Sequence, residues 1–159
     1  MDSLMRVVKV EVSETPIIQR ILQIHDEMPR AWDPSHFVSK EYLEGVLARI
    51  QSSQDPHGFW ILTRSDILDA DAIDGLIWAK LMTSPTDGSR FCSVNSFWMK
   101  PELRKEGLAV QLSEACLRWA RENQAARIEC STHFTNARMR EILEKFSFKP
   151  GMVQYSLSI

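Results

Sequence analysis

A basic, glycine-containing turn near position 105 has the residue types that hold an anion. The segment KPELRKEGLAV (residues 100–110) places Arg104 and Lys105 before Gly107, where a helical pattern begins. The free N–H groups of a helix N-terminus bind anions with help from the helix dipole. Glycine there lets the anion approach the backbone without meeting a Cβ. The segment predicts a phosphate or pyrophosphate cradle, although a purely structural strand–turn–helix connection would use the same glycine.

The other residues that could bind a metal or act as nucleophiles show no supporting spacing. The histidines share no metal-ligand spacing, and DADAIDG (69–75) departs from the calcium-loop pattern and lacks its final glutamate. The cysteines show no CxxC pattern, which favours reduced thiols in a cytoplasmic protein. We therefore predict no metal site from these residues: His25, His36, His57, His133, Cys92, Cys116 and Cys130.

The elements that must position the turn follow from hydrophobic periodicity. Alternating, β-branched runs predict strands over residues 5–12, 59–64, 76–83, 90–100, 126–132 and 152–159. Helical periodicity predicts helices over residues 13–28, 37–50, 107–122 and 136–146. The order β-α-α-β-β-β-α-β-α-β predicts an α/β protein with a mixed sheet. Its middle strands form an antiparallel meander, and its later βαβ steps pair in parallel.

Length and composition favour a single globular domain over residues 1–159. The 159-residue chain is 44% apolar and 25% charged, with no linker or repeat. A net charge of −2 gives no electrostatic footprint for nucleic acid. No apolar run approaches the ~18 residues of a membrane helix, and charged residues interrupt the N-terminus. We expect a cytoplasmic protein with no nucleic-acid or membrane partner.

Two segments together resemble the GNAT N-acetyltransferase superfamily, in the style of its small bacterial or phage members. The family's V-x-P-x-x-R-x-x-G-x-G/A segment is similar to FWMKPELRKEGLA (97–109). The family's C-terminal signature reads Asn, two residues, a small residue, two residues, Leu-Tyr-Glu-Lys, one residue and Gly-Phe. The segment NARMREILEKFSF (136–148) resembles this signature. The residues in register there are Asn136, Ile142, Glu144, Lys145 and Phe148.

The resemblance implies an acetyl-CoA site and direct attack of an amine on the thioester. It implies that the pantetheine lies in a gap between the strand carrying residues 97–99 and the strand at 126–132. Backbone groups near Trp98 and Met99 would bind the pantetheine and polarise the thioester carbonyl, and Asn136 would bond the CoA arm. The pyrophosphate would be held by the amides of Arg104, Lys105, Glu106, Gly107, Leu108 and Ala109.

An amine acceptor must lose a proton before it attacks, because an alkylammonium has a pKa near ~10.4. Strand alternation predicts that Ser93, Asn95 and Phe97 share one face. If that face lines the gap, Ser93 and Asn95 could order a water that carries the proton away. Polar residues on a half-exposed strand would look the same. Glu129 on the next strand is a weaker candidate for the base.

Two positions depart from the family signature. Leu143 stands where the family often has a tyrosine, the presumed acid for the leaving thiolate, and Ser147 replaces a glycine. Leucine cannot donate a proton, so the thiolate leaves unassisted, as its pKa of about 8.5 permits, or another group protonates it. A non-catalytic acyl-CoA-binding module and a cofactor-free interaction protein therefore remain alternatives.

The acceptor site of this family is built mainly by the segment between the first two helices. Here that segment, 25–37, offers carboxylates to attract a cation and aromatic rings to stack on it. The alternative is that the rings pack under the loop and the acids are solvated. The candidates are Asp26, Glu27, Trp32, Asp33 and Phe37.

The last predicted strand indicates a partner. GNAT proteins commonly place two strands after the last helix, whereas only MVQYSLSI (152–159) follows here. An unpaired sheet edge invites another chain, and a symmetric dimer is the commonest way of covering it. We therefore predict a homodimer that uses this strand. The alternative is that the strand closes the sheet beside residues 126–132.

Overall fold

The structure is a computed structural model that describes residues 4–104 and 106–159. The strands are β1 (Arg6–Val10), β2 (His57–Thr63), β3 (Gly75–Thr83), β4 (Arg90–Met99) and β5 (Ile128–Cys130). The helices are α1 (Thr15–Glu27), α2 (Lys40–Ser52), α3 (Glu106–Glu122) and α4 (Ala137–Lys145). Single 3-10 turns lie at Met28–Ala31, Ala70–Ala72 and Pro101–Leu103. The prolines at positions 16, 29 and 101 lie in the first turn of a helix or 3-10 turn, where no N–H bond is lost.

The strands form one mixed sheet in the order β1-β2-β3-β4-β5. The first four are antiparallel neighbours, and β5 is parallel to β4. The predicted meander is confirmed, and so is parallel pairing for the step β4-α3-β5, whereas no strand follows α4 to complete the second predicted βαβ step. A bulge interrupts the β3–β4 register, because Trp78 pairs with Ser96 and Ala79 with Val94, which leaves Asn95 as an extra residue.

Helices cover both faces of the sheet. Helices α1 and α2 pack on one face around a cluster that includes Ile18, Ile21 and Phe59. Helix α3 packs on the other face, where Leu112, Cys116 and Trp119 recur at helical spacing and are buried against the sheet. No helix of the described residues is both long and apolar enough to cross a bilayer.

The prediction of a strand over residues 152–159 is wrong for this chain. Residues 148–159 contain no regular secondary structure, and the side chains of residues 149–159 are exposed. A strand needs a partner edge, and β5 is only three residues long, not the predicted seven. Pro150, just before the segment, cannot donate a ladder hydrogen bond. Helix α4 buries no residue, so it provides no core for the segment to complete.

Candidate active site

An open cleft of about 970 Å³ lies where β4 and β5 separate. The two strands pair only from Cys92 to Val94 on β4, so residues 97–99 have no strand partner on that side. The cleft is bounded by the end of β4, the start of α3, helix α4 and the turn after α1. Its lining includes Glu27, Trp32, Trp98, Met99, Arg104, Ala109, Thr135, Asn136, Arg138, Ile142 and Lys145.

The end of β4 is fixed from both sides. Lys100 donates its backbone N–H to the Asp74 carbonyl at 3.0 Å, and its Nζ lies 2.7 Å from Asp74 Oδ1. Arg104 Nε donates to the Met99 carbonyl at 3.1 Å. The Met99 side chain is buried in the core, so only its backbone can meet a ligand. One lone pair of its carbonyl already accepts from Arg104.

The start of α3 lies beside the cleft, and the first N–H groups of a helix have no acceptor within the helix itself. Around Gly107, no heavy atom outside its chain neighbours and its own helix backbone lies within 4 Å of the position that a Cβ would occupy. Ala109 lines the cleft, whereas the Leu108 side chain packs against the α3 core. Lys105 lies outside the described residues, and Glu106 contributes its backbone position as the first residue of α3. The start of this helix therefore has the open surroundings that an anion needs.

Helix α4 forms the opposite wall and adds positive charge. Asn136 caps the helix, because its Oδ1 accepts the Met139 N–H at 3.1 Å. Arg138 and Lys145 line the cleft with Arg104, and sequence reasoning missed Arg138 as a cleft residue. The seven-residue spacing of Arg138 and Lys145, two helical turns, is the signal that places both on one side of α4.

The prediction that Ser93, Asn95 and Phe97 share one strand face is wrong. The bulge at Asn95 reverses the alternation, so Phe97 packs on the α3 side with Val94. Ser93 lies opposite Lys80, and none of the three polar candidates, Ser93, Asn95 and Glu129, lines the cleft. Glu129 instead pairs with Arg127 at 2.9 Å. A role for Ser93 and Asn95 in ordering water stays a prediction.

The segment after α1 is held together by a buried carboxylate. Asp26 is 7% exposed and accepts from Arg30 Nη2 at 3.3 Å and from His36 Nε2 at 3.1 Å. Arg30 Nε also donates to the His36 carbonyl at 3.3 Å. Asp26 is therefore engaged inside the segment and does not line the cleft. Its i,i+4 spacing from Arg30 is the sequence signal for this ion pair.

Of the acceptor candidates, the structure brings Glu27 and Trp32 into the cleft. Trp32 also stacks on His133, from the loop after β5, with ring centroids 5.5 Å apart. The stack joins the segment after α1 to the segment before α4. The remaining two candidates lie elsewhere, since Asp33 accepts from Ser35 in a local turn and Phe37 is 77% exposed.

Burial favours the neutral form of two histidines on the α1 side of the sheet. Burial lowers the pKa of His25, whose ring meets Trp78 edge-on at 5.3 Å and whose Nδ1 is buried without a hydrogen-bond partner. Burial, and to a smaller extent the positive charge of Lys80, lowers the pKa of His57. The Nδ1 of His57 accepts a hydrogen bond from Trp78 Nε1 at 3.1 Å. No cluster of three or more His, Cys, Asp or Glu in residues 4–104 and 106–159 is placed to hold a metal.

Comparison with protein-family models identifies the family to which this fold belongs. The model of the acetyltransferase (GNAT) family matches residues 18–148. The chain belongs to the GNAT family. A search of curated protein sequences finds no match. The expected resemblance and the GNAT fold are therefore confirmed.

Solved GNAT structures share the fold at low sequence identity. AAC(6')-Iy, bound to the bisubstrate analogue CoA-S-monomethyl-acetylneamine, is 17% identical, with a TM-score of 0.70, covering 99% of this chain and 100% of that chain. A putative acetyltransferase from Pyrococcus furiosus is 17% identical, with a TM-score of 0.70, over 98% and 100% of the two chains. An aminoglycoside acetyltransferase from an uncultured soil sample, bound to sisomicin, is 9% identical, with a TM-score of 0.72, covering 99% of this chain and 98% of that chain.

The family's usual tyrosine position is occupied by a residue that does not face the cleft. Leu143 is half-buried, and its neighbour Ile142 lines the cleft instead. No tyrosine of the described residues lines the cleft. The lining groups that can donate a proton from the α4 side are the Thr135 hydroxyl and the Lys145 ammonium.

Proposed function

We propose that the protein is an acetyl-CoA-dependent N-acetyltransferase that acts on a primary amine. The observation that carries this proposal is the meeting of three features at one cleft. These are the unpaired end of β4, the start of α3, where Ala109 lines the cleft and Gly107 has open surroundings, and the cationic side chains Arg104, Arg138 and Lys145. Family membership supports the same reaction class.

The residues present fit acetyl-CoA. The pyrophosphate would be held by the amides at the start of α3, where the space beside Gly107 admits an anion. Arg104 and Arg138 would neutralise the phosphate charge. Backbone groups at residues 97–99 would hold the pantetheine arm as an added strand. Asn136 would contribute its amide NH₂, because its oxygen already caps α4.

Acetyl-CoA supplies an activated acetyl thioester, and the protein supplies position. The amine nitrogen forms a bond to the acetyl carbon, the carbon–sulfur bond breaks, and the sulfur leaves with its electron pair as the CoA thiolate. The amine loses one proton and the thiolate gains one. Because the pKa of a thiol is about 8.5, the thiolate can leave without a tyrosine. Lys145 and Thr135 are the groups on the α4 wall that can stabilise or protonate it.

We further propose a cationic amine as the acceptor, bound by Glu27 and Trp32. Glu27 is the one carboxylate among the cleft-lining residues of the described chain, and Trp32 presents an aromatic face. A cation within about 6 Å of an aromatic face is stabilised by roughly 0.5–2 kcal/mol. The amine-bearing ligands in the AAC(6')-Iy and soil-sample structures, which belong to those proteins, are of the same chemical class.

A second candidate function is a non-catalytic acyl-CoA-binding module, and Leu143 is the observation that favours it. Thermal shift with acetyl-CoA and CoA release with a panel of amines, aminoglycosides and peptides separate the possibilities. Stabilisation together with CoA release supports the transferase. Stabilisation with no release from any amine supports the binding module, and no stabilisation supports the cofactor-free interaction protein.

A further inference from the structure

The loop between β5 and α4 holds a histidine and a threonine in direct contact. His133 Nδ1 lies 2.6 Å from Thr135 Oγ1, and the Thr135 backbone N–H donates to the same nitrogen at 3.3 Å. Because a backbone N–H can only donate, Nδ1 carries a lone pair, and the Thr135 hydroxyl also donates its hydrogen to it. The neutral imidazole ring therefore holds its proton on Nε2. The lone pairs of Thr135 Oγ1 are left to accept from a ligand.

The fold places this pair beside the reacting end of the cleft. Strands β4 and β5 are parallel, and Val94 pairs with Cys130, the last residue of β5. The loop after β5 therefore lies at the same end of the sheet as residues 97–99, on the other side of the gap between the two strands. The Thr135 side lines the cleft. Its hydroxyl is thus near the position that the proposed function gives to the thioester.

The same loop is held against the acceptor side of the cleft. The His133 ring stacks on Trp32 with centroids 5.5 Å apart and planes 27° apart, and Trp32 lines the cleft with Glu27. The His133 carbonyl accepts the Asn136 backbone N–H at 2.9 Å, which fixes the loop to the start of α4. These contacts orient the imidazole ring towards Thr135. The His133 side chain is also exposed, so a proton that it gains can pass to solvent.

We propose that Thr135 and His133 form the proton relay that deprotonates the acceptor amine, an inference that rests on the proposed function. A proton of the bound ammonium group moves to Thr135 Oγ1, while the hydroxyl proton moves to His133 Nδ1. The freed nitrogen lone pair forms the bond to the acetyl carbon, the carbon–sulfur bond breaks, and the sulfur keeps that electron pair. The second proton, released as the amide forms, goes to the thiolate. Because the Thr135 hydroxyl serves the amine, Lys145 is left as the α4 group for the thiolate.

The test measures steady-state CoA release with acetyl-CoA and the amine of the panel above that reacts fastest. Thr135→Val removes the hydroxyl and keeps the branched shape, and His133→Phe keeps a ring on Trp32 without Nδ1. Each should lower kcat by roughly 100-fold at pH 7.5, with the KM for acetyl-CoA within threefold. Thr135→Ser restores a hydroxyl and should lose less than tenfold. Thr132→Val, at a threonine that does not line the cleft, should match the original chain.

The pH dependence of these losses separates proton transfer from packing. An alkylammonium has a pKa near ~10.4, so raising the pH from 7.5 to 9.5 raises its neutral fraction roughly a hundredfold. A neutral amine needs no base, and the losses in Thr135→Val and His133→Phe should shrink at least tenfold at pH 9.5. The charged groups that line the cleft are the same in every variant, so they cannot produce this difference. They are Glu27, Arg104, Arg138 and Lys145.

A measurement without any acceptor tests the geometry directly. The ¹⁵N resonances of the His133 ring in the free full chain should show the proton on Nε2, and a proton on Nδ1 would overturn the relay. Folded Thr135→Val and His133→Phe variants within threefold of the original kcat at pH 7.5 would also overturn it. So would losses that are equal at both pH values, because they would assign the pair to packing. An original chain that releases CoA with no amine would refute the proposed function, and the relay with it.

Discussion

Replacing Gly107 by glutamate tests the anion cradle at a position with open surroundings. No heavy atom other than its chain neighbours and its own helix backbone lies within 4 Å of a Cβ built there, so the folded chain accommodates the new side chain. A carboxylate in the first turn of a helix is stabilising by about 0.3–1 kcal/mol. We therefore expect Gly107→Glu to keep or slightly raise the melting temperature of the free protein.

The expected loss of acetyl-CoA affinity follows from Coulomb's law. At a separation of about 5 Å, two unit charges repel by roughly 0.8 kcal/mol in bulk water and by about 3 kcal/mol at an effective dielectric constant of ~20. A pyrophosphate link carries two negative charges, which makes the smaller value about 1.7 kcal/mol. A tenfold change in Kd corresponds to about 1.4 kcal/mol. Affinity should therefore fall by more than tenfold.

The assay is isothermal titration calorimetry with acetyl-CoA at about 0.15 M salt. Gly107→Gln has nearly the same size without the charge and should lose less affinity than Gly107→Glu. Gly151→Glu adds the same charge at another glycine with open surroundings and should bind like the unchanged chain. Unchanged affinity in a folded Gly107→Glu variant would refute the cradle.

Three further changes test separate parts of the account. Leu143→Tyr should raise turnover or leave it unchanged, and a folded variant with sharply lower turnover would show that Leu143 packs where the enzyme needs it. Asp26→Asn should lower the free energy of unfolding by roughly 1–3 kcal/mol in urea titrations, because Arg30 and His36 lose their buried partner. Acetyl-CoA affinity should stay the same, and a variant as stable as the original chain would contradict the ion-pair argument. His25→Phe keeps the ring on Trp78 and removes a buried nitrogen that has no partner, so stability at pH 7.5 should rise by about 1 kcal/mol. Because burial lowers the pKa of His25 below 6.5, the unfolded chain binds more protons, and stability is lost as the pH falls below 6.5. His25→Phe should lose less stability over that range, and an equal loss would exclude His25 as its source.

Local sequence patterns were sufficient to predict the elements that pack against neighbours near in the chain. Helix α1 was predictable because Ile17, Ile21 and Ile24 recur at helical spacing behind a proline, and all three are buried. The β2–β3–β4 meander was predictable because short turn segments separate alternating runs. The proposed anion cradle could be formulated from sequence because the glycine, the basic residues and the helix start are contiguous, and it stays a prediction.

Features that depend on pairing between distant segments could not be obtained from periodicity. The bulge at Asn95 depends on the β3–β4 register, and one extra residue reverses every later side chain of β4. The carboxylate of Asp26 was expected to face an acceptor, but its hydrogen bond to His36 closes the segment on itself. The segment 152–159 has a strand pattern, yet alternation alone does not say which edge it pairs with.

The most direct test of the central claim is a titration of ¹⁵N-labelled protein with acetyl-CoA followed by amide resonances. The account predicts that the largest shifts occur at the start of α3, at Gly107 and Ala109, and at the end of β4, at Trp98. The amide of Gly151 should stay unchanged and serves as an internal control. Saturable binding that leaves the resonances of Gly107, Ala109 and Trp98 in place would contradict the assignment of this cleft to acetyl-CoA.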